Sequence, residues 1–337
     1  MRMGEGVKNM GVFLLAGVLP FALTCVVLYR AGVFGNFWFW TIEYARQYAI
    51  SLPLRESWSK LAPKPAILLR LMFCLSTVAV AGIARSFWHP SVRRHIVFVF
   101  GLLAFSCAAV CPGLYFRPHY FILILPVVAI LIAVAVTSSV RWLTLQSASR
   151  WPRSLPVIVF AAAMALAIYS NAEFYFKLTP LQTWRLCYPL SPLVEASPLG
   201  VYLRQHTVPT DTVVVFGSEP EIYFYAHRHS ASGYIYVYSL MEDQAYWLPM
   251  QKQMMQEVEA NRPAYAVVVD VWDSWLQRPG SPQLVAFNSW MNGYVSDGFD
   301  EVGMVELADQ ESRYFWGDEA RGHHQPGREI RIFKRKD

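Results

Sequence analysis

Apolar runs without formal charge recur along the first half of the chain, at about the length, roughly 20 residues, that a helix needs to cross the hydrocarbon of a bilayer. Four are Asn9 to Tyr29, Ile96 to Phe116, Tyr120 to Val140 and Ser154 to Ala172. A fifth, Ala66 to Ala84, carries Arg70 near its start, where a long stem lets the guanidinium reach the headgroups. One such run suits a soluble core as well, but several in one chain predict a multi-pass α-helical membrane domain of about five spans. The opening MRMGEGVKNM precedes an apolar run too long for a signal-peptide core and without a small-x-small cleavage site, so the first run is expected to be a span.

Between the first two runs, residues 34–52 follow a different pattern. Phe37, Trp40, Tyr44 and Tyr48 recur every three or four positions, with Glu43, Arg46 and Gln47 on the other face, which predicts an aromatic helix lying in the membrane interface.

Beyond Lys177 the pattern changes again. Pro180, Pro189, Pro192 and Pro198 interrupt any long helix, and acidic residues become frequent, from Asp211 and Glu219 to Asp297 and Asp300. Strands are expected at 212–218, 234–240 and 264–272, and in FDEVGMVEL, SRYFWG and REIRIFKR near the end. Helices are expected through IYFYAHR, over 241–263 with a break or start near Pro249, and over 282–293 ending at Gly293. The chain therefore reads as a transmembrane helical domain, 1–176, followed by a small α/β domain, 177–337.

The composition agrees, with 55% hydrophobic and 16% charged residues. Basic residues near the spans set the orientation. Arg2 and Lys8, Arg85, Arg93 and Arg94, and Arg141, Arg150 and Arg153 would share the cytoplasmic side. Arg117 stands alone in the connection opposite, and everything after the fifth span lies with it. The first connection, Arg30 to Pro65, breaks the count with Arg30, Arg46, Arg55, Lys60 and Lys64, and parity places it outside. The reading is a multi-pass membrane protein whose C-terminal domain lies outside the cytoplasm. The net charge of +5 is spread over these anchors and not gathered on one face with stacking aromatics, which argues against nucleic acid as a partner. Cys111 and Cys187 are the only cysteines expected to meet outside, and no obligatory disulfide is expected.

The stretch PGLYFRPHYFILILP sets Arg117 and His119 at the lip of an apolar run, with Pro112 and Pro118 restricting the backbone around them. The arginine reads either as a snorkelling anchor or as a cation for a ligand. Arg46 and Tyr48 in the aromatic helix read either as parts of an anchor or as a second wall of the same polar site. In SEPE, Ser218 and Glu221 match a capping box, which accounts for Glu219 and Glu221 without chemistry. The pairs His227/His229 and His323/His324 lack the spacing of metal ligands, so no cofactor is indicated, and a divalent metal stays open. No phosphate loop, nucleophile elbow or Cys–His pair is present.

Several stretches together carry a resemblance: GLYFRPHYFILILPVVAILIA, FWFWTIEYARQY, VVVFGSEPEIYFYAHRHSASGYIYVYSLME, NRPAYAVVV and the YFWG to RIFKR ending. In order and character they resemble the C-terminal half of bacterial integral-membrane glycosyltransferases of the C superfamily, family 39 type. These are related to protein O-mannosyltransferases and to the aminoarabinose transferase acting on lipid A. The resemblance implies a polyprenyl-phosphate-linked sugar as donor and a lipid, glycan or protein hydroxyl as acceptor, with membrane lipids around the spans. It also implies that Arg117 holds the departing phosphate and that His119, Tyr115, Arg46 and Tyr48 assist in binding. The family's acidic residue in the first outward loop has no counterpart here. Two expectations follow: the chain is a C-terminal portion lacking the general base, or Glu43 serves in its place. The alternative from another class is a non-catalytic membrane-anchored protein for assembly or for recognising a glycan or partner.

Overall fold

The structure, a computed structural model, describes residues 3–50, 53–63, 73–88, 93–146, 150–189, 191–276 and 280–336. Arg70 and the start of the Ala66 to Ala84 run lie outside them. The chain divides into two compact units, Met1–Ala167 and Ile168–Asp337.

The first unit is helical: α1 Met3–Arg30, α2 Phe34–Trp38, α3 Ala45–Ile50, α4 Leu54–Leu61, α5 Phe73–Trp88, α6 Ile96–Ala109, α7 Leu125–Gln146 and α8 Arg150–Ser170, which runs across the boundary. Among the described residues, three stretches are long and apolar enough to cross a membrane: Gly6–Arg30, Pro118–Gln146 and Trp151–Ser170. That is compatible with membrane association. α1 has no buried residue in its most apolar window, the mark of a helix whose apolar surface needs a non-aqueous partner all round.

The other two expected spans are shorter here. The described part of one is α5, of 16 residues, and the other is α6, of 14 residues. The expected span Ile96 to Phe116 is corrected, because its helix stops at Ala109 and Pro112 and Gly113 turn the chain, Gly113 at φ 74°.

Small residues let α5 and α7 approach. Leu75, Ala79, Gly82 and Ser86 are buried along one face of α5, and a Cβ at Gly82 would stand 1.9 Å from the Leu131 carbonyl oxygen on α7. Ser86 Oγ donates to the Gly82 carbonyl at 2.8 Å, which satisfies the hydroxyl within its own helix. Val99, Val127, Leu131, Ile132 and Ala163 complete this core.

Between α2 and α3 the expected aromatic helix carries a π-helical turn, Phe39–Tyr44. The wider turn adds residues per revolution and so departs from the three-and-four spacing. Trp40 and Tyr44 still meet edge to face at 5.1 Å.

The second unit begins with α9 Ala172–Phe176, α10 Pro180–Cys187 and α11 Leu193–Gln205. A mixed six-stranded sheet follows, with β1 Thr212–Phe216, β2 His229–Ser230, β3 Tyr265–Val271, β4 Phe299–Glu306, β5 Arg313–Trp316 and β6 Arg328–Arg335 in the order β2-β1-β3-β6-β4-β5. β1 pairs parallel with β2 and β3, and the β3, β6, β4 and β5 neighbours are antiparallel. Helices α12 Glu221–Ala226, α13 Tyr238–Met241, α14 Trp247–Asn261 and α15 Pro282–Gly298 join the strands. Val213, Val214, Val215 and Phe216 are all fully buried, as a strand covered on both faces requires. On one face Val213 and Val215 pack with Leu199, Leu203 and Ile222, and on the other Phe216 meets Phe287 of α15 edge to face at 6.1 Å.

Two local expectations are corrected, and one, a helix start near Pro249, is met. YIYVYSL is not a strand; it bends into the short α13, and the short edge strand is His229–Ser230 instead, because Ala231 N–H already reaches the Val213 carbonyl. The helix expected over 241–263 starts only at Trp247, which puts Pro249 in the first turn, where a missing N–H costs nothing. The helix expected to end at Gly293 runs on to Gly298.

Gly82→Ala is expected to destabilise the helical unit by about 1–3 kcal/mol, since a Leu131 backbone oxygen cannot rotate away from the new methyl. Gly101→Ala, on α6 with open space around it, is expected to be neutral or slightly stabilising. Thermal unfolding of the two variants in detergent compares them directly.

Candidate functional site

The segment between α6 and α7 is built of backbone that no helix could supply. Leu114 and Phe116 join Gly113 at positive φ, 55° and 46°, a conformation that costs a residue with a side chain about 1–3 kcal/mol. Phe116 is buried and anchors the turn, while Tyr115 and Arg117 on either side of it stay accessible. Arg117 is extended, as the residue before a proline should be, and Pro118 opens a 3-10 turn that leads into α7.

Tyr115 is the centre of this corner. Its ring lies 5.6 Å from the Arg117 guanidinium carbon and 5.1 Å from Lys60 Nζ, brought in by α4. Each cation is attracted to the electron-rich ring and repelled by the other. Among the described residues no carboxylate pairs with either one. An anion entering beside the ring would meet a planar guanidinium fork and a compact ammonium together, the donor set that suits phosphate oxygens.

The other expected site residues are distributed unevenly. His119 is exposed and stands edge to face against Tyr120 at 4.7 Å. Arg46 is exposed on α3, which packs against the Pro112–Leu114 turn, so the aromatic segment and the Arg117 loop do come together as elements. Tyr48 lies on α3, and its side chain falls outside the described residues. Glu43 is exposed in the π-helical turn, and among the described residues no ion pair links it to Arg46 or Arg117. Lys60 was not singled out from the sequence. The only local signal was one more basic residue in an already basic connection.

A second constellation lies in the second unit. After β1 the chain turns toward β2, and after β3 it departs toward β4, so the carboxyl ends of this parallel pair mark the point where connections diverge. Open α/β sheets hold ligands at such points. There Gly217, Ser218 and Glu219 meet Ser274. Ser218 N–H donates to Ser274 Oγ at 2.9 Å, Ser218 Oγ donates to the Ser274 carbonyl at 2.7 Å, and Ser274 Oγ donates to Glu219 Oε2 at 2.8 Å. Gly217 is required by the crowding, since a Cβ would fall 2.3 Å from Glu219 Oε2. Tyr238 O–H donates to the Asp273 carbonyl and closes the corner.

The capping box expected from SEPE is therefore corrected. The helix starts at Glu221 after Pro220 with no side-chain cap, because Ser218 is bound to Ser274 instead. Glu219 is 4% exposed, and burial pushes its carboxyl up to about 8, with Glu221 nearby adding repulsion against the partial relief from Ser274 and Ser218. The sequence carried no local sign of this, since Ser274 lies 55 positions away.

The histidines are occupied otherwise. Arg228, between His227 and His229, clamps the chain by donating to Thr207 Oγ1 and to the Thr207 and Arg204 carbonyls. His323 stacks on Phe315 at 3.8 Å, and His324 Nδ1 lies 3.1 Å from Glu329. Among the described residues, no group of three or more His, Cys, Asp or Glu side chains is arranged to hold a metal ion.

Compared with protein-family models, with curated proteins and with solved structures, the chain matches none.

Glu219 makes stability depend on pH in a definite direction. Its folded value lies above the ordinary 4.5, so between 4.5 and about 8 the folded chain binds more protons than the unfolded one and stability falls as pH rises through that window. Glu219→Gln has no proton to lose. The variant is expected to unfold at a higher temperature than wild type at about pH 8 and to differ little below about pH 4.5. Thermal unfolding across that range reads the difference, and parallel curves would show that the carboxyl is not held neutral.

Proposed function

We propose that this chain is part of a membrane glycosyltransferase which takes a sugar from a polyprenyl-phosphate donor and passes it to a lipid, glycan or protein hydroxyl outside the bacterial cytoplasmic membrane. The observation that carries the reading is the Tyr115 ring flanked by Lys60 and Arg117, two cations without a carboxylate partner among the described residues, next to the apolar stretch Pro118–Gln146. A ligand with a phosphate and a long hydrocarbon tail meets both halves of that arrangement. In this reading the shorter helices α5 and α6 join α1, α7 and α8 as five crossings, and the second unit faces the periplasm.

In the transfer, the acceptor oxygen attacks the anomeric carbon, the bond from that carbon to the phosphate oxygen breaks, and the phosphate leaves with the electron pair. Negative charge grows on the leaving oxygen, and cations fixed beside it lower the barrier because they need no reorganisation at that moment. The strained 113–116 backbone holds Arg117 in place, and the Tyr115 ring sets where both cations rest. His119 and Arg46, both exposed, are available to the sugar and phosphate. The acceptor's proton goes to a carboxylate base. Among the described residues Glu43 pairs with neither cation, and the role proposed for this chain is binding of the donor phosphate.

Purified chain in detergent should bind a polyprenyl-phosphate sugar, and Arg117→Ala and Lys60→Ala should each weaken it by about 10–100-fold, the range of one charge-assisted hydrogen bond. Lys60→Arg should retain most of the affinity. The same polyprenol without phosphate should bind equally weakly to all of them. Undiminished affinity in both alanine variants would end the proposal.

A further inference from the structure

A cleft of about 1130 Å³ opens in the second unit, with α9 and α10 on one side and residues 309–311, between β4 and β5, on the other. Its size is at the upper end for small-molecule sites, so it suits an extended ligand. One buried cluster ties its walls together. Arg185 of α10 donates to Glu195 Oε1 of α11 and to Ser312 Oγ at 3.2 Å, and Ser312 Oγ in turn donates to Glu195 Oε1 at 2.5 Å. Glu195 is 1% exposed. The start of α10 is fixed as well, by a capping box between Thr179 and Gln182. The cleft is thus formed before any ligand arrives, which reduces the ordering cost of binding.

The lining chemistry is specific. Asn171, Gln182 and Gln310 present amides, Glu173 and Glu311 present carboxylates, and Phe174 presents a partly exposed ring. Planar amides and carboxylates hold two hydrogen-bonding atoms side by side, which matches neighbouring hydroxyls, and a ring offers a flat apolar face to the C–H side of a pyranose. One donor in the wall is unused: Arg185 lines the cleft, and its buried Nε has no hydrogen-bond partner among the described residues. Charge excludes anions. Arg185 is neutralised by Glu195, Asp309 is paired with Arg328 at 2.6 Å, and Glu173 and Glu311 remain to repel a phosphate or carboxylate. No metal-holding group of side chains forms here among the described residues.

We infer that this cleft binds a saccharide, uncharged or amino-bearing, with Glu173, Glu311 and Gln310 on its hydroxyls or amines and Phe174 against its apolar face. The site shares no residue with the Tyr115 corner and has the opposite charge, so it stands or falls separately from the donor-phosphate reading. The saccharide is either a free glycan or the head of a glycolipid, and both offer the same hydroxyls.

The test applies the full chain in detergent to immobilised neutral, amino-bearing and uronic-acid oligosaccharides, and the chain in lipid nanodiscs to vesicles displaying the same oligosaccharides on lipid. Neutral or amino-bearing members should be retained and uronic-acid members should not. Phe174→Ala and Glu311→Ala should each weaken binding at least tenfold, and Arg117→Ala should leave it unchanged. Gln310→Ala replaces any variant that loses its thermal unfolding transition. Retention of free oligosaccharides assigns a general glycan, whereas binding only to the lipid-displayed form assigns a glycolipid. Binding to no saccharide in either format, preference for uronic acids, or full affinity in both cleft variants would overturn the inference, as would loss confined to Arg117→Ala.

Discussion

A backbone inside hydrocarbon has no water to satisfy its N–H and C=O groups, so it must be helical there and can abandon the helix only where water or protein meets it. The described helices of the first unit are compatible with that constraint. α1, α7 and α8 are unbroken over membrane-crossing lengths, and irregular backbone is confined between helices. The most irregular stretch, 110–124, is where the polar chemistry gathers: Gly113, Leu114 and Phe116 take left-handed conformations, and Tyr115 and Arg117 project from the turns they make.

Small residues set how closely the helices approach. In α5, Ala79, Gly82 and Ser86 form a smooth face on which the α7 backbone rests, and the Ser86 hydroxyl bonds back to its own helix. In lipid, where helices gain no hydrophobic driving force from one another, such close fit would supply the attraction. The second unit instead relies on ordinary burial, with β1 covered on both faces, and sets of its buried polar groups bond to one another. Arg185, Glu195 and Ser312 form one such set, and Glu219, Ser218 and Ser274 another. Burial favours the neutral form of Glu219, and among the described residues no cation pairs with it.

The two units carry opposite local charge at their candidate binding places. Lys60 and Arg117 around Tyr115 attract an anion, while Glu173 and Glu311 in the cleft repel one. A transfer reaction between a phosphate-bearing donor and a hydroxyl-bearing acceptor calls for recognition of both kinds. The proposed readings of the two places are complementary on that account, although each rests on its own geometry.

Periodicity and punctuation alone determined the apolar helices, the change of character after Lys177 and most of the strands, because these depend on neighbours within a few residues. REIRIFKR is β6 over its full length, and Pro112 and Pro118 did mark a turn that exposes Arg117. The same local logic misassigned SEPE as a cap and YIYVYSL as a strand. Only the folded chain decided those cases. Ser274 reaches Ser218 and Glu219 from more than 50 positions away, and Ser230 takes the sheet position beside Val213. Lys60 and Tyr115 likewise meet across the packing of α4 and the 112–117 loop. A hydrogen bond or a cation over a ring is short in space but unconstrained along the chain, and one sequence does not encode which distant residues will share a corner until burial has brought them there.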